Sequence, residues 1–380
     1  MSLETVADQP RTDDAEYQRL KILANIGSWV IGVSLAGLFL ILQGSQALRD
    51  LSLDWGPNYM FAIAIYVVLV FIFLEIISFP LSLWSGFILE HRFGLSKQRL
   101  LDWVLDWLKG LLIQMALMIA ATEMIYLTMK TFPDFWWALA ASVLSLFMIV
   151  ITQLAPIVLL PIFFKFEPLM DNKLTNRLVG LANQTGTEVR GVWMWHLGNK
   201  TRKANAALIG LGRTRRIILS DTLISTYPDN EIEVILAHEL GHQINHDIPR
   251  GLAIQVPLSF IGFWLLDRAL SALSEPLGLD APSDFASLPL LLLLVALLSV
   301  VLLPLANAYS RRQERAADEF ALRSTRMTNE FVSAMNRLAK QNRTTHPPHP
   351  VIEWIFYTHP SIHRRITFAR TWAARHARSC

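Results

Sequence analysis

Five stretches, residues 22–43, 59–79, 110–129, 136–160 and 287–308, are apolar for twenty residues or more. A helix rises about 1.5 Å per residue and the hydrocarbon of a bilayer is about 30 Å thick, so each stretch is long enough to cross it. A sixth, 251–270, is weaker because Pro257, Asp267 and Arg268 interrupt it. With 53% hydrophobic and only 17% charged residues the chain is a membrane protein, with about six transmembrane helices. The first 21 residues are polar and lack a cleavage site after a short apolar core, so they read as a disordered or interfacial arm, not a removable signal.

Lysine and arginine set the orientation. Arg11, Arg19 and Lys21 precede span one; Arg92, Lys97 and Arg99 separate spans two and three; Lys165 follows span four; Arg311, Arg312 and Arg315 follow span six. The alternate loops hold only Arg49 and Lys130, and only Arg268, beside Asp267, dissents. Both termini and residues 161–250 are therefore expected on the cytoplasmic side. A net charge of +3 without a dense basic patch gives nucleic-acid binding no support. The single cysteine, Cys380, allows neither an intrachain disulfide nor a thiolate metal cage, so any metal site must use histidine and carboxylate.

Between Lys165 and Arg250 the composition becomes that of a soluble domain, with a helical stretch near 172–183 and strand-like runs at 189–196, 203–209 and 216–220. His238-Glu239-Leu240-Gly241-His242 follows, in a helical pattern from about 229 to 247. At 3.6 residues per turn both imidazoles share a face and can bind one metal ion, while Glu239 beside that face can take a proton from water without being a ligand. Past span six, Glu314 and Asp318 are four apart on another helical run. One carboxylate completes a His2Glu site and the other fixes a ligating imidazole through its free N–H; Glu314 is assigned to the metal and Asp318 to the support. His246 is expected to cap or pack, and His346 and His349 to lie in an exposed loop. Glu75, Gln114, Glu123, Gln153, Gln255 and Asn307, polar residues within the spans, should face the bundle interior or water.

H-E-L-G-H, then S-R-x-x-E-x-x-A-D around Glu314 and Asp318, then Thr358-His359-Pro360-Ser361 resemble the membrane gluzincin family of the type I CAAX prenyl protease, with HtpX-type proteases as more distant relatives. The likeness extends to residues 90–98 and to the membrane exit at 157–169, and so to most of residues 22–370. It implies one zinc ion per chain held by His238, His242 and Glu314, with Glu239 as general base. It also implies transition-state stabilisation by His359, a proton-donor role given to Asp318 in some such families, and substrate binding by Asn205, Ala206 and Arg365. Ser361 stands where the family has a second proline.

The sequence thus reads as a polytopic α-helical membrane protein with a small α/β zincin-type catalytic domain. Its parts are a cytoplasmic N-terminal arm (1–21), transmembrane helices one to four (22–164), a cytoplasmic catalytic domain with the HELGH helix (165–250), transmembrane helices five and six (251–308), and a cytoplasmic C-terminal catalytic segment with the third ligand (309–380). The expected function is a zinc metalloendopeptidase acting near the C-terminus of peptide or protein substrates, prenylated by family implication, at the lipid bilayer. The alternatives are an HtpX-like quality-control protease for misfolded membrane proteins and a non-catalytic metal-stabilised scaffold. Zinc buried mid-membrane is disfavoured because Glu231, Glu233, Asn245, Asp247 and Arg250 make the HELGH helix too polar to span.

Overall fold

A computed structural model describes residues 12–376 apart from Leu211. Cys380 and the first eleven residues lie outside the described residues. The chain opens with α1 (Thr12–Ile41), the short α2 (Gly44–Trp55) and α3 (Tyr59–Leu83), which passes through a π-helical turn at Trp84–Ile88 into α4 (Leu89–Arg92). There follow α5 (Leu100–Thr131), α6 (Trp136–Val158), α7 (Leu160–Phe163), β1 (Phe166–Pro168), α8 (Asn172–Gln184), β2 (Val192–Trp195), β3 (Ala206–Ile209), β4 (Arg216–Ser220) and α9 (Asp221–Thr226). The remainder is α10 (Asp229–Ile244), α11 (Asp247–Leu273), α12 (Leu288–Thr325), α13 (Thr328–Gln341), α14 (Pro350–Phe356) and α15 (Ile362–His376).

Among the described residues six helical segments are long and apolar enough to cross a membrane: Asp13–Ile41, Tyr59–Arg92, Leu100–Thr131, Trp136–Phe163, Asp247–Leu273 and Phe285–Thr325. The weak sixth run is one unbroken helix, α11, despite Pro257. Its Asp267 is buried, accepts a hydrogen bond from Trp136 Nε1 at 2.7 Å and pairs with Arg268 at 2.8 Å, so the dissenting charge is neutralised on the spot. Tyr66, Tyr126, Trp136 and Phe285 form the centre of the bundle. Of the polar residues within the spans, Asn307 is buried, Glu75, Glu123 and Gln153 are half-buried, and Gln114 and Gln255 are exposed.

Residues 12–21, read from the sequence as part of a disordered or interfacial arm, are helical and packed. α1 starts at Thr12, and Asp14, 1% exposed, accepts from Arg343 Nη1 at 3.1 Å and Thr345 Oγ1 at 2.7 Å, while Tyr17 and Lys21 both reach Glu90 at 2.8 Å. These contacts convert ten polar residues into a packed helical extension, which composition alone does not reveal.

The polar half of the chain folds into a lobe around a four-stranded sheet of order β1-β2-β4-β3. β2 and β4 are parallel and the outer pairs antiparallel, so β3 is an edge strand. One face of the sheet, α8, α10, α12 and α13 bury a common core that includes Leu178, Ile217, Leu219, Leu236, Leu240, Leu322 and Phe331. α12, at 38 residues about 57 Å long, joins the two halves: its apolar first part lies in the bundle and its last four turns in the lobe.

Candidate active site

α10 begins with Asp229 and Glu231, acidic residues that suit the positive end of a helix. Glu231, 4% exposed, accepts from Ser333 Oγ at 2.6 Å and Arg337 Nε at 3.0 Å, which fixes α10 against α13. Leu236, Ala237 and Leu240 point into the lobe core. Gly241 faces α12, where a Cβ would stand 2.9 Å from Ala317 Cα. The missing side chain therefore lets the two backbones approach closely, and Glu314, one turn before Ala317, reaches the imidazoles of α10.

His238, His242 and Glu314 each offer a ligand atom, and these atoms all lie within 4.8 Å of one another. The two Nε2 atoms face each other at 3.2 Å; His238 Nε2 is 3.3 Å from Glu314 Oε2, and His242 Nε2 is 3.4 Å from Oε1. Each ring is held from behind: His238 Nδ1 meets Asp318 Oδ1 at 2.9 Å, and His242 Nδ1 meets Asp247 Oδ2 at 2.7 Å. With each Nδ1–H donated to a carboxylate, both Nε2 lone pairs aim at the same space. Glu314 Oε2 is buried with no well-directed hydrogen bond, an acceptor that costs free energy unless a cation or donor meets it. Two imidazoles and one carboxylate, with an orphaned oxygen between them, fit a divalent metal such as zinc.

Electrostatics favour the same conclusion. Glu239, Asp247, Glu314 and Asp318 surround the imidazole pair, against the guanidinium of Arg365. Burial and Arg365 oppose charge on His238, yet the carboxylates of Asp318 and Glu314 beside its two ring nitrogens outweigh them and its pKa rises to about 9. Burial also pushes the Glu239 carboxyl above its ordinary range, with His238 and His242 pulling the other way.

The site opens into a cavity of about 400 Å3 lined by His238, Glu239, His359 and Arg365, by Asn205 and Ala206 at the start of edge strand β3, and by an apolar wall that includes Val234, Phe331 and Met335. His359 projects from the turn after α14 with 58% of its side chain exposed; its Nε2 is 3.1 Å from Glu314 Oε1, and Thr358 Oγ1 lies 2.8 Å from its Nδ1. Arg365, 6% exposed, also lines this cavity, but its guanidinium is committed to Asp318, with Nε at 2.9 Å from Oδ2 and Nη2 at 2.5 Å from Oδ1. Asp318, 1% exposed, is filled by Arg365 and His238 and stands behind the cavity wall.

Residues 168–373, more than half of the chain, match the sequence model of peptidase family M48. The chain belongs to peptidase family M48. Residues 3–165 of this M48 peptidase match a second model, described as CAAX prenyl protease N-terminal, five membrane helices. Within that range four of the membrane-crossing helices are present, and α2, at 12 residues, is too short to be a fifth. The chain is 29% identical to a Bacillus subtilis protein described as uncharacterized metalloprotease YhfN, over 80% of this chain and 72% of that one. It is 26% identical to CAAX prenyl protease 1 of Saccharomyces cerevisiae, over 77% of this chain and 68% of the yeast protein. The crystal structure of S. mikatae Ste24p superposes with a TM-score of 0.84 over 94% of this chain and 88% of that one at 22% identity, which shows a shared fold. The protein is a membrane metallopeptidase.

The structure thus brings His238, His242 and Glu314 together, sets Glu239 and His359 beside them, places Asn205 and Ala206 on the cavity's edge strand, and puts Asp318 and Arg365 behind His238. Sequence reasoning missed two residues of this candidate site. Tyr357 lines the cavity next to His359. Asp247 supports His242 because His246 adopts a left-handed conformation, φ 54°, and turns the chain back on α10. That five-residue spacing falls outside helical periodicity, though an acidic residue just past the motif was a signal available to see.

Proposed function

We propose that this M48 peptidase is a zinc endopeptidase that cleaves peptide bonds near the C-terminus of substrates, prenylated ones among them, at the cytoplasmic face of a membrane. The carrying observation is the convergence of His238, His242 and Glu314 at the wall of a cavity that also holds Glu239 and an open strand edge. The inclusion of prenylated substrates rests on the likeness to CAAX prenyl proteases, and the cytoplasmic side on the lysine and arginine asymmetry of the loops.

In this reading His238, His242 and Glu314 hold the zinc, which supplies a Lewis acid able to acidify water and polarise a carbonyl. The backbone at Ala206 pairs with an extended peptide as an added strand and lays the scissile bond beside Glu239, while Asn205, whose N–H and carbonyl are bound to Ser220, offers its side chain. Glu239 takes the proton of the attacking water and returns it to the leaving amine; its burial raises its proton affinity and so suits both transfers. His359, exposed and hinged on a turn, donates toward the oxygen that gains charge in the transition state. Asp318 and Asp247 hold the two Nδ1–H groups, and Arg365 keeps Asp318 ionised and in place, which gives Asp318 a positioning role and not that of proton donor.

The test pairs zinc content with cleavage of a farnesylated peptide and its unfarnesylated twin by protein in lipid vesicles. Glu239→Gln is expected to keep about one zinc per chain while cleavage falls by ~10²–10⁴-fold. Equal cleavage by both proteins contradicts the mechanism, and failure of the wild type to cleave the farnesylated peptide contradicts the inclusion of prenylated substrates.

A further inference from the structure

α14 is two turns long and two-sided. Its inner side carries Glu353, 4% exposed, which accepts from Ser361 N at 3.1 Å and pairs with Arg364 at 3.4 Å. Its outer side presents Val351 and Trp354, 54% and 53% exposed, with Phe356 at its end 40% exposed. Three large apolar side chains on seven residues are far too small a patch for a stable protein partner, which needs roughly 800 Å2 on each side.

The depth of this helix is set by its partners. The carbonyls at a helix C-terminus need donors, and α12 supplies them: Asn307 Nδ2 donates to Ile355 O at 2.6 Å, and Arg311 Nη1 reaches the carbonyls of Glu353, Trp354 and Tyr357 at 3.2, 3.2 and 2.6 Å. Asn307 is the last residue but one of the apolar run 287–308, so α14 ends level with the point where that span leaves the hydrocarbon. A second span gives the same depth independently. Phe356, Tyr357 and His359 share a cleft with Lys21, Ile22 and Asn25, where the apolar run of α1 begins. An exposed Trp, Val and Phe at this level sit in the zone where amphipathic side chains partition into the membrane surface.

We propose that α14 lies in the lipid interface on the lobe's side of the membrane, with Val351, Trp354 and Phe356 among the lipids, and that this anchorage holds the Tyr357–His359 turn over Glu314. Trp354 is then a positioning residue acting through His359. The second half of the proposal rests on the peptidase reading; the first does not.

The experiment uses full-length protein in phosphatidylcholine vesicles, with Cys380→Ser removing the natural thiol. Nitroxide labels are placed at Val351→Cys, at Leu297→Cys within the apolar run of α12, and at the exposed Thr371→Cys on α15, and their collisions with oxygen and with a water-soluble nickel chelate are compared. The label at 351 is expected to favour oxygen over nickel more than that at 371 does and less than that at 297 does. A label at 351 as open to nickel as that at 371 overturns the anchorage, and this outcome needs no substrate. In a second arm, Trp354→Gln is expected to lower kcat up to about 100-fold at unchanged zinc content, the loss that an ångström-scale misplacement of a reacting group produces. The same substitution in a His359→Ala background is expected to have no further effect. Additive losses overturn the positioning role.

Discussion

His238 and His242 stand one turn apart on α10, yet they are held by unlike structures. The inner imidazole is 9% exposed and leans on Asp318, which belongs to a different helix and is itself forked by Arg365 from α15. The outer imidazole is half-buried and leans on Asp247, five residues along the same chain. Inner support therefore exists only when α10, α12 and α15 are packed together. Outer support forms locally, from a helix end and one left-handed residue. The difference teaches that one half of the candidate metal cradle is coupled to the folding of the lobe and the other half is nearly independent of it.

Removing the inner support should have the largest effect. Asp318→Asn leaves the Arg365 guanidinium buried without a full counter-charge, a situation that typically costs about 3–5 kcal/mol. Thermal unfolding should show that loss along with loss of bound metal; an unchanged transition would remove the coupling claimed for this side. Next comes Gly241→Ala, whose new methyl must push α10 away from Ala317 on α12. Overpacking of this kind costs roughly 1–3 kcal/mol, and because the shift separates both histidines from Glu314, chelator competition should find weaker metal binding as well. Full metal affinity in this variant would show that the close helix crossing does not set the ligand geometry.

Asp247→Asn breaks only the outer support. Metal affinity should fall about 10–100-fold, the usual consequence of losing a carboxylate behind a ligating histidine, while the unfolding midpoint of the metal-free protein stays near that of the wild type. A large drop in that midpoint would erase the contrast between the two sides. His246→Gly is the mildest change: it relieves the left-handed backbone but adds freedom to the unfolded chain, so stability should move by less than about 1 kcal/mol. Equilibrium denaturation checks the size of that shift.

The same contrast explains how much was legible in the sequence. Membrane runs announce themselves because crossing a bilayer demands an unbroken apolar length, and the HELGH and Glu314/Asp318 spacings are helical periodicities written directly in residue numbers. Strands β2, β3 and β4 fall within the runs read from β-branched and aromatic residues, whereas the three-residue β1 exists only by pairing with β2. The juxtaposition of α10 and α12 was inferred from chemistry, not from packing; the reason they meet, Gly241 against Ala317, is a tertiary fact. Asp247 behind His242 depends on a single backbone torsion, and the first turns of α1 on Glu90 and Arg343, both far away in sequence. Features that depend on periodicity were readable, and those that depend on one backbone torsion or one distant contact were not.

The account stands on one ion shared by the two imidazoles and Glu314. X-ray absorption at the zinc edge of the purified full-length protein tests this directly. The expected spectrum has two imidazole nitrogens at about 2.0–2.1 Å, further oxygen at similar distance and no sulfur, and loses one imidazole signature in His242→Ala. A spectrum without imidazole scattering, or one indifferent to that substitution, would contradict the account.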